Sequence, residues 1–180
     1  QNIERIAKFC SEIDIEFMSS PFGVKELHFL LDLGMRSIKI PSGEITNVVL
    51  LKEIGNYALQ NDVQIFLSTG MCTLGDIEEA LSVLNFINIK EKITILHCVS
   101  SYPAPISELN LNAIKTLRKS FNCKVGYSDH SKDILAPVLS VALGASVIEK
   151  HITIDKNLSG PDHKASITPD VFAEIVSQIR

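Results

Sequence analysis

The sequence has no C-x-x-C pair among its four cysteines, Cys10, Cys72, Cys98 and Cys123. That leaves no spacing for a zinc site and no disulfide framework. No apolar run reaches the roughly 18 residues that a membrane span requires, so no membrane partner is expected. No basic stripe stands out and the formal net charge is −4, which gives no electrostatic case for nucleic acid. The opening residues, Gln1-Asn2-Ile3-Glu4-Arg5, lack the n-region and h-region of a secretion signal, and with the cysteine pattern they point to a reducing cytoplasm. Aromatic residues make up only 6% of the 180, beside 46% hydrophobic and 21% charged. This balance excludes a disordered tail, collagen or a coiled coil, and fits one globular domain with a sizeable core.

What the sequence does contain is alternation. Short β-branched runs at 13–20, 37–42, 63–69, 93–99, 124–129 and 146–154 read as strands. Helical patterns fall between them at 23–33, 47–60, 73–88, 110–120 and 131–143, with a last one at 168–180. Residues 1–11 read as a helix without a strand before it. Thr73-Leu74-Gly75-Asp76 has the form of a capping box, and Leu74, Ile77, Leu81 and Leu84 repeat behind it at helical spacing. Thr168-Pro169-Asp170 is a second start signal, while Gly34 and Gly144 are helix stops.

Strict alternation means parallel strands with helical crossovers, either in an open doubly wound sheet or in a closed (β/α)8 TIM barrel. Reactive side chains favour the barrel, because they end every strand instead of gathering at one switch point. They are Ser19 and Ser20, Lys39 and Ser42, Ser68 and Thr69, His97 and Ser100, Ser128 and His130, Glu149 and His151. The segments 33–39 and 143–149 also echo each other, with Lys39 and Glu149 at equivalent places.

Residues two apart on a strand point the same way. Ser128 and His130 therefore share a face, as do Glu149 and His151, and neighbouring strands would bring the two histidines together. Two neutral imidazoles with water and substrate oxygens make an open divalent-metal site, with Glu149 able to orient a ligand or accept a proton. The competing reading is two unrelated histidines. Lys39 in a β-rich run is expected to meet an anion or to form a Schiff base, unless it reaches solvent at its strand end. Ser42 and Gly43 suit phosphate or carboxylate oxygens, and Glu44 adds an acceptor or base. Ser68-Thr69-Gly70-Met71 is a weaker anion contact, Ser100 and Tyr102 share parity in a proline-stiffened loop, and Asp162 is either a polyol contact or a turn former. His97 and Cys98 read as a core histidine and a buried thiol.

The ordered set resembles the sialic acid synthase family, the nonulosonic acid synthases. It comprises Ser19-Ser20-Pro21-Phe22, Lys39 through Glu44, Ser68 through Met71, His97 through Pro105, Ser128-Asp129-His130, Glu149-Lys150-His151 and Gly160-Pro161-Asp162. The run from Ile40 to Asn47 is more similar to the N-acetylneuraminate and legionaminate branches than to the pseudaminate one. The resemblance implies a metal-dependent condensation of phosphoenolpyruvate with an N-acetylated amino sugar, N-acetylmannosamine or a diacetylated analogue, to a nine-carbon keto acid with release of phosphate. It makes His130 and His151 ligands of a divalent metal, manganese first, with magnesium or cobalt as alternatives. It assigns Ser20, Lys39, Ser42, Ser68, Ser100 and Ser128 to phosphoenolpyruvate, and Glu44, Tyr102 and Asp162 to the acceptor sugar. Lys39, Glu44 and Asp162 are the catalytic candidates. Ser20 stands where threonine is common, and Ser100 where some members have asparagine. A Schiff-base aldolase using Lys39 and a non-catalytic sugar- or anion-binding barrel module are the alternatives.

Eight βα units need about 250 residues. The chain of 180 is therefore expected to be an incomplete barrel of about six units. The resemblance implies that the first two strands and a small C-terminal antifreeze-like domain are missing, that this piece alone does not turn over, and that the full-length protein is a domain-swapped homodimer.

Overall fold

The computed structural model describes residues 2–180. The chain divides into two compact units, Gln1–Leu67 with Cys72–Thr94, and Ser68–Met71 with Ile95–Arg180. The first unit holds helix α1 (Asn2–Glu12), strand β1 (Met18–Ser19), α2 (Val24–Asp32), β2 (Ser37–Ile40), α3 (Val48–Gln60), β3 (Gln64–Ser68, its last residue in the second unit), α4 (Leu74–Val83) and α5 (Phe86–Ile89). The second holds most of β4 (Ile93–Cys98), then α6 (Ala113–Phe121), β5 (Lys124–Asp129), α7 (Leu135–Ala142), β6 (Ile148–Lys150) and α8 (Pro169–Ile179). Short 3-10 turns occupy Ser42–Glu44, Lys90–Lys92, Ile106–Glu108 and Asp162–Lys164.

Strand neighbours follow chain order from β1 to β6. β1 with β2, β2 with β3, and β5 with β6 pair in parallel. An open doubly wound sheet reverses its strand order at a switch point, and no reversal occurs here, so the architecture is that of consecutive TIM-barrel units. No helix among the described residues is long and apolar enough to cross a membrane.

In the first unit the core is built by β2 and β3, whose Ile38, Ile40, Ile65 and Leu67 are fully buried, against Leu50, Leu51 and Ile54 of α3. Thr73 and Asp76 form the expected capping box on α4: the Asp76 amide donates to Thr73 Oγ1, and Thr73 N donates to Asp76 Oδ2 at 2.7 Å. Ile77, Leu81 and Leu84 are buried while Leu74 stays exposed. The single helix expected over 73–88 is interrupted, because Asn85 adopts a left-handed conformation (φ 62°) and α5 restarts after it. Asparagine tolerates that region better than most residues. Of the run 13–20, only Met18–Ser19 pairs as a strand. Asp14 is left-handed at φ 55° and Ile15 N still donates to Cys10 O, so these residues complete the end of α1.

In the second unit Gly144 terminates α7 at φ 105°, as Gly34 terminates α2 at φ 87° in the first. Proline opens α8 as expected, but the Thr168 side chain makes no capping bond. The strand expected over 146–154 shortens to three residues. After Lys150 the chain leaves β5, and Ile152 bridges instead to Ile167.

His97 on β4 is a core histidine. It is 9% exposed, its Nε2 lies 2.7 Å from the Leu109 carbonyl, and its ring stacks on Tyr127. Burial pushes this imidazole below its ordinary value, and the bond to Leu109 offsets only part of that. The unfolded chain takes up a proton near pH 6.5, whereas folded His97 resists it until lower pH. The stability linked to it is therefore full above about pH 6.5 and is lost as the pH falls toward the folded value. Urea midpoints measured from about pH 7.5 to 5 should fall on the acid side, and His97→Asn should flatten that slope.

Candidate active site

The sequence-predicted residues fall in both units. In the first, Ser20 follows β1 and is half-buried. Lys39 is half-buried on β2, in register with Phe66 of β3. Ser42 and Glu44 lie in the turn that follows β2. Glu44 Oε2 accepts from Asn47 Nδ2 at 2.7 Å, and Asn47 Oδ1 in turn caps α3 through Leu50 N. The carboxylate is thus held in place by the start of a helix, which fixes its direction and leaves its other oxygen for a further donor.

The second unit brings a compact cluster together. His130 and His151 have ring centroids 5.4 Å apart, and Tyr102 lies 4.0 Å from the first ring and 5.7 Å from the second. His130 is 5% exposed, with Nδ1 2.6 Å from the Val99 carbonyl, so Nδ1 carries the hydrogen and Nε2 keeps a lone pair. Burial pushes His130 below the ordinary imidazole value and neighbouring His151 pushes the same way, while the bond to Val99 opposes them. Its carbonyl also accepts from Ala104 N at 2.9 Å, so both ring and backbone are tied to the 99–104 segment. Burial pushes the Tyr102 phenol up, with Cys98, Asp162 and Glu149 adding to the effect.

The expected parity holds. Ser128 Oγ donates to Glu149 Oε1 at 2.6 Å and sits 3.4 Å from His130 Nε2. Asp162 Oδ2 lies 3.8 Å from His151 Nδ1, and the Asp162 carbonyl also accepts from Ala165 N and Ser166 N in the turn. The turn-forming reading of Asp162 therefore holds, and its carboxylate lies beside the histidine pair. Ser100 is exposed at the end of β4. Ser68 is 3% exposed and its Oγ has no hydrogen-bond partner, while Thr69 and Gly70 beside it are tied to Leu96 O and Cys98 Sγ. An orphaned buried hydroxyl costs free energy unless something else bonds to it.

Among the described residues no group of three or more His, Cys, Asp or Glu comes together to hold a metal. Two imidazoles are what the cluster offers, one of them with its donor nitrogen oriented by a backbone carbonyl, as metal-binding histidines usually are. Such a pair fits an open cation site completed by water or substrate.

Sequence reasoning missed Asp129 and Lys150. Lys150 Nζ lies 2.5 Å from Asp129 Oδ2, with side chains 1% and 0% exposed. The signal was available: each is the middle residue of its triplet, so each must face away from its neighbours, and their charges are opposite.

The profile of the NeuB family matches residues 1–180. An N,N'-diacetyllegionaminic acid synthase from Campylobacter jejuni is 50% identical over 175 residues, which cover 97% of this chain and 50% of that protein. A second, from Legionella pneumophila, is 42% identical over 178 residues, covering 97% and 49%. The crystal structure of an N-acetylneuraminic acid (sialic acid) synthetase from Leptospira borgpetersenii superposes with a TM-score of 0.89 at 36% identity, covering 98% of this chain and 60% of that one. The chain spans about half the length of the curated relatives it matches.

Proposed function

From the premise that this chain belongs to the NeuB family, we propose that the whole protein condenses phosphoenolpyruvate with an N-acetylated amino sugar, giving a nine-carbon keto acid and phosphate. The observation that carries this reading is the His130–His151 pair, 5.4 Å apart, with His130 fixed by Val99 and flanked by Tyr102. The names of the relatives, legionaminic and sialic acid synthases, support the substrate class.

His130 and His151 would hold a divalent cation, manganese first, which would supply Lewis-acid polarisation of the sugar aldehyde. Ser68 supplies a buried hydroxyl for a carboxylate or phosphate oxygen of phosphoenolpyruvate. Ser128 already donates to Glu149, so it offers substrate an acceptor and holds the Glu149 carboxylate in place. Lys39 carries the positive charge assigned to phosphoenolpyruvate, with Ser20, Ser42 and Ser100 as further hydroxyls. Tyr102 covers the histidine pair on the acceptor side. C3 of phosphoenolpyruvate attacks the aldehyde carbon, water adds at C2, and the C2–O bond to phosphate breaks as the added oxygen becomes the keto oxygen. The two protons of that water pass to the former aldehyde oxygen and to the departing phosphate. Glu44 and Asp162 are the two carboxylates proposed for proton transfer and for the sugar hydroxyls. The full-length protein is proposed to be a cytoplasmic domain-swapped homodimer with a C-terminal antifreeze-like domain.

Mass spectrometry of products from phosphoenolpyruvate with N-acetylmannosamine and with diacetylated amino sugars tests the reading. A nine-carbon keto acid with one of them is expected, and its absence with all of them would refute it. Ser68 gives a sharper check. Ser68→Ala should raise stability to urea by about 1 kcal/mol, because an unsatisfied buried group is removed. The same change should raise KM for phosphoenolpyruvate about tenfold, the worth of a bond to a charged group. Loss of stability with unchanged KM would show a packing role instead.

A further inference from the structure

The Ser128-Asp129-His130 and Glu149-Lys150-His151 triplets each have one residue on the opposite face from the site. Asp129 and Lys150 are register partners, and theirs is the last rung of the β5–β6 pairing. Beyond it lie the two histidines, which no strand ladder holds together. A buried ion pair is by itself weak evidence of stability, because desolvating two charges offsets their attraction. What this pair holds is more informative.

Lys150 Nζ also donates to the Ser131 carbonyl at 2.5 Å. Asp129 Oδ1 accepts from Ser131 N at 2.9 Å and from the Tyr127 hydroxyl at 3.0 Å. Both backbone groups of the residue after His130 are thus bonded to the pair, and Ser131 is fully buried. At the other end Lys150 directly precedes His151. The pair therefore fixes the chain on the outgoing side of one histidine and the incoming side of the other. One rung earlier, on the site face, the Ser128–Glu149 bond repeats the cross-link.

We propose that Asp129 and Lys150 are positioning residues whose buried pair holds the His130 and His151 imidazoles at their mutual spacing. As far as metal uptake is concerned this rests on the function proposed above; the spacing itself does not. Loosening the pair should let the rings drift apart while leaving the ring atoms chemically unchanged.

The test uses full-length protein with 13C-labelled histidine, first metal-free and then titrated with MnCl2. Lys150→Met alone would strand a buried carboxylate, so the principal variant is Asp129→Asn/Lys150→Met, which removes both charges at similar volume. The side-chain amide oxygen introduced at position 129 can still accept from Ser131 N and Tyr127, but the Ser131 carbonyl loses its donor. The double variant is expected to keep the wild-type circular dichroism and to lose the nuclear Overhauser contacts between the His130 and His151 rings. Its Mn2+ affinity, read by electron paramagnetic resonance, should fall about 10- to 100-fold. A merely structural pair would leave both readouts unchanged in any folded variant. Intact ring contacts with Mn2+ affinity close to that of wild type would overturn the proposal. If the double variant does not fold, Asp129→Glu, which keeps both charges but moves the carboxylate by one methylene, is judged by the same two readouts. If wild-type protein takes up no Mn2+, the metal reading fails, and the metal-free ring contacts still decide the positioning role.

Discussion

His130→Ala in the full-length protein should lower turnover by on the order of 10³-fold, and His151→Ala should do the same. Lewis-acid polarisation of a carbonyl is worth several kcal/mol, and each 1.4 kcal/mol is about tenfold in rate. Loss of one of only two imidazoles should remove most of it. The fold should survive. The His130 ring makes one bond to the Val99 carbonyl, and the substitution leaves the carbonyl of residue 130 able to accept from Ala104 N. Phosphate release measured beside thermal unfolding separates the two effects. Near-normal turnover in either variant would exclude the pair as metal ligands.

Gly126→Ala should lower stability by about 2 kcal/mol, the usual scale for forcing a methyl into a filled core. A Cβ there would stand 2.6 Å from Leu96 Cδ2, 2.7 Å from the Val147 carbonyl oxygen and 3.0 Å from Val147 Cβ. The leucine methyl can rotate away, but the carbonyl cannot, because it accepts from Tyr127 N at 2.9 Å. Alanine's better strand entropy, worth roughly 0.5–1 kcal/mol, does not offset this. Urea unfolding of the variant measures the loss, and a midpoint equal to wild type would mean that β5 and the 147 region yield more readily than their hydrogen bonding suggests. Two residues further on is Ser128, so displacement at Gly126 should also reach the Ser128–Glu149 bond.

The alternation of strands and helices was legible because β-branched runs and helical periodicity are strong local signals. The parallel, sequential order followed from it. Parity along strands was equally legible, which is why Ser128, His130, Glu149 and His151 could be grouped before any coordinates. Element ends were not. Ile152, Thr153 and Ile154 are β-branched and read as strand, yet their partner strand ends at Asp129, and pairing needs a neighbour as well as a propensity. The break at Asn85 depends on a single backbone conformation that the apolar periodicity of 73–88 does not reveal. The Asp129–Lys150 pair was hidden for a different reason. The recognisable chemistry lies on the side of the two triplets that faces the site, and the opposite face holds the charges that tie them together.

The most direct test of the central claim is phosphate release by the full-length protein from phosphoenolpyruvate and an N-acetylated amino sugar. It would be measured after treatment with a chelator and again after Mn2+ is restored, with borohydride added in parallel. Release should cease on chelation, return with Mn2+, and be insensitive to borohydride. Release that persists through chelation, or that borohydride stops by trapping an adduct on Lys39, would contradict a metal-dependent condensation at His130 and His151.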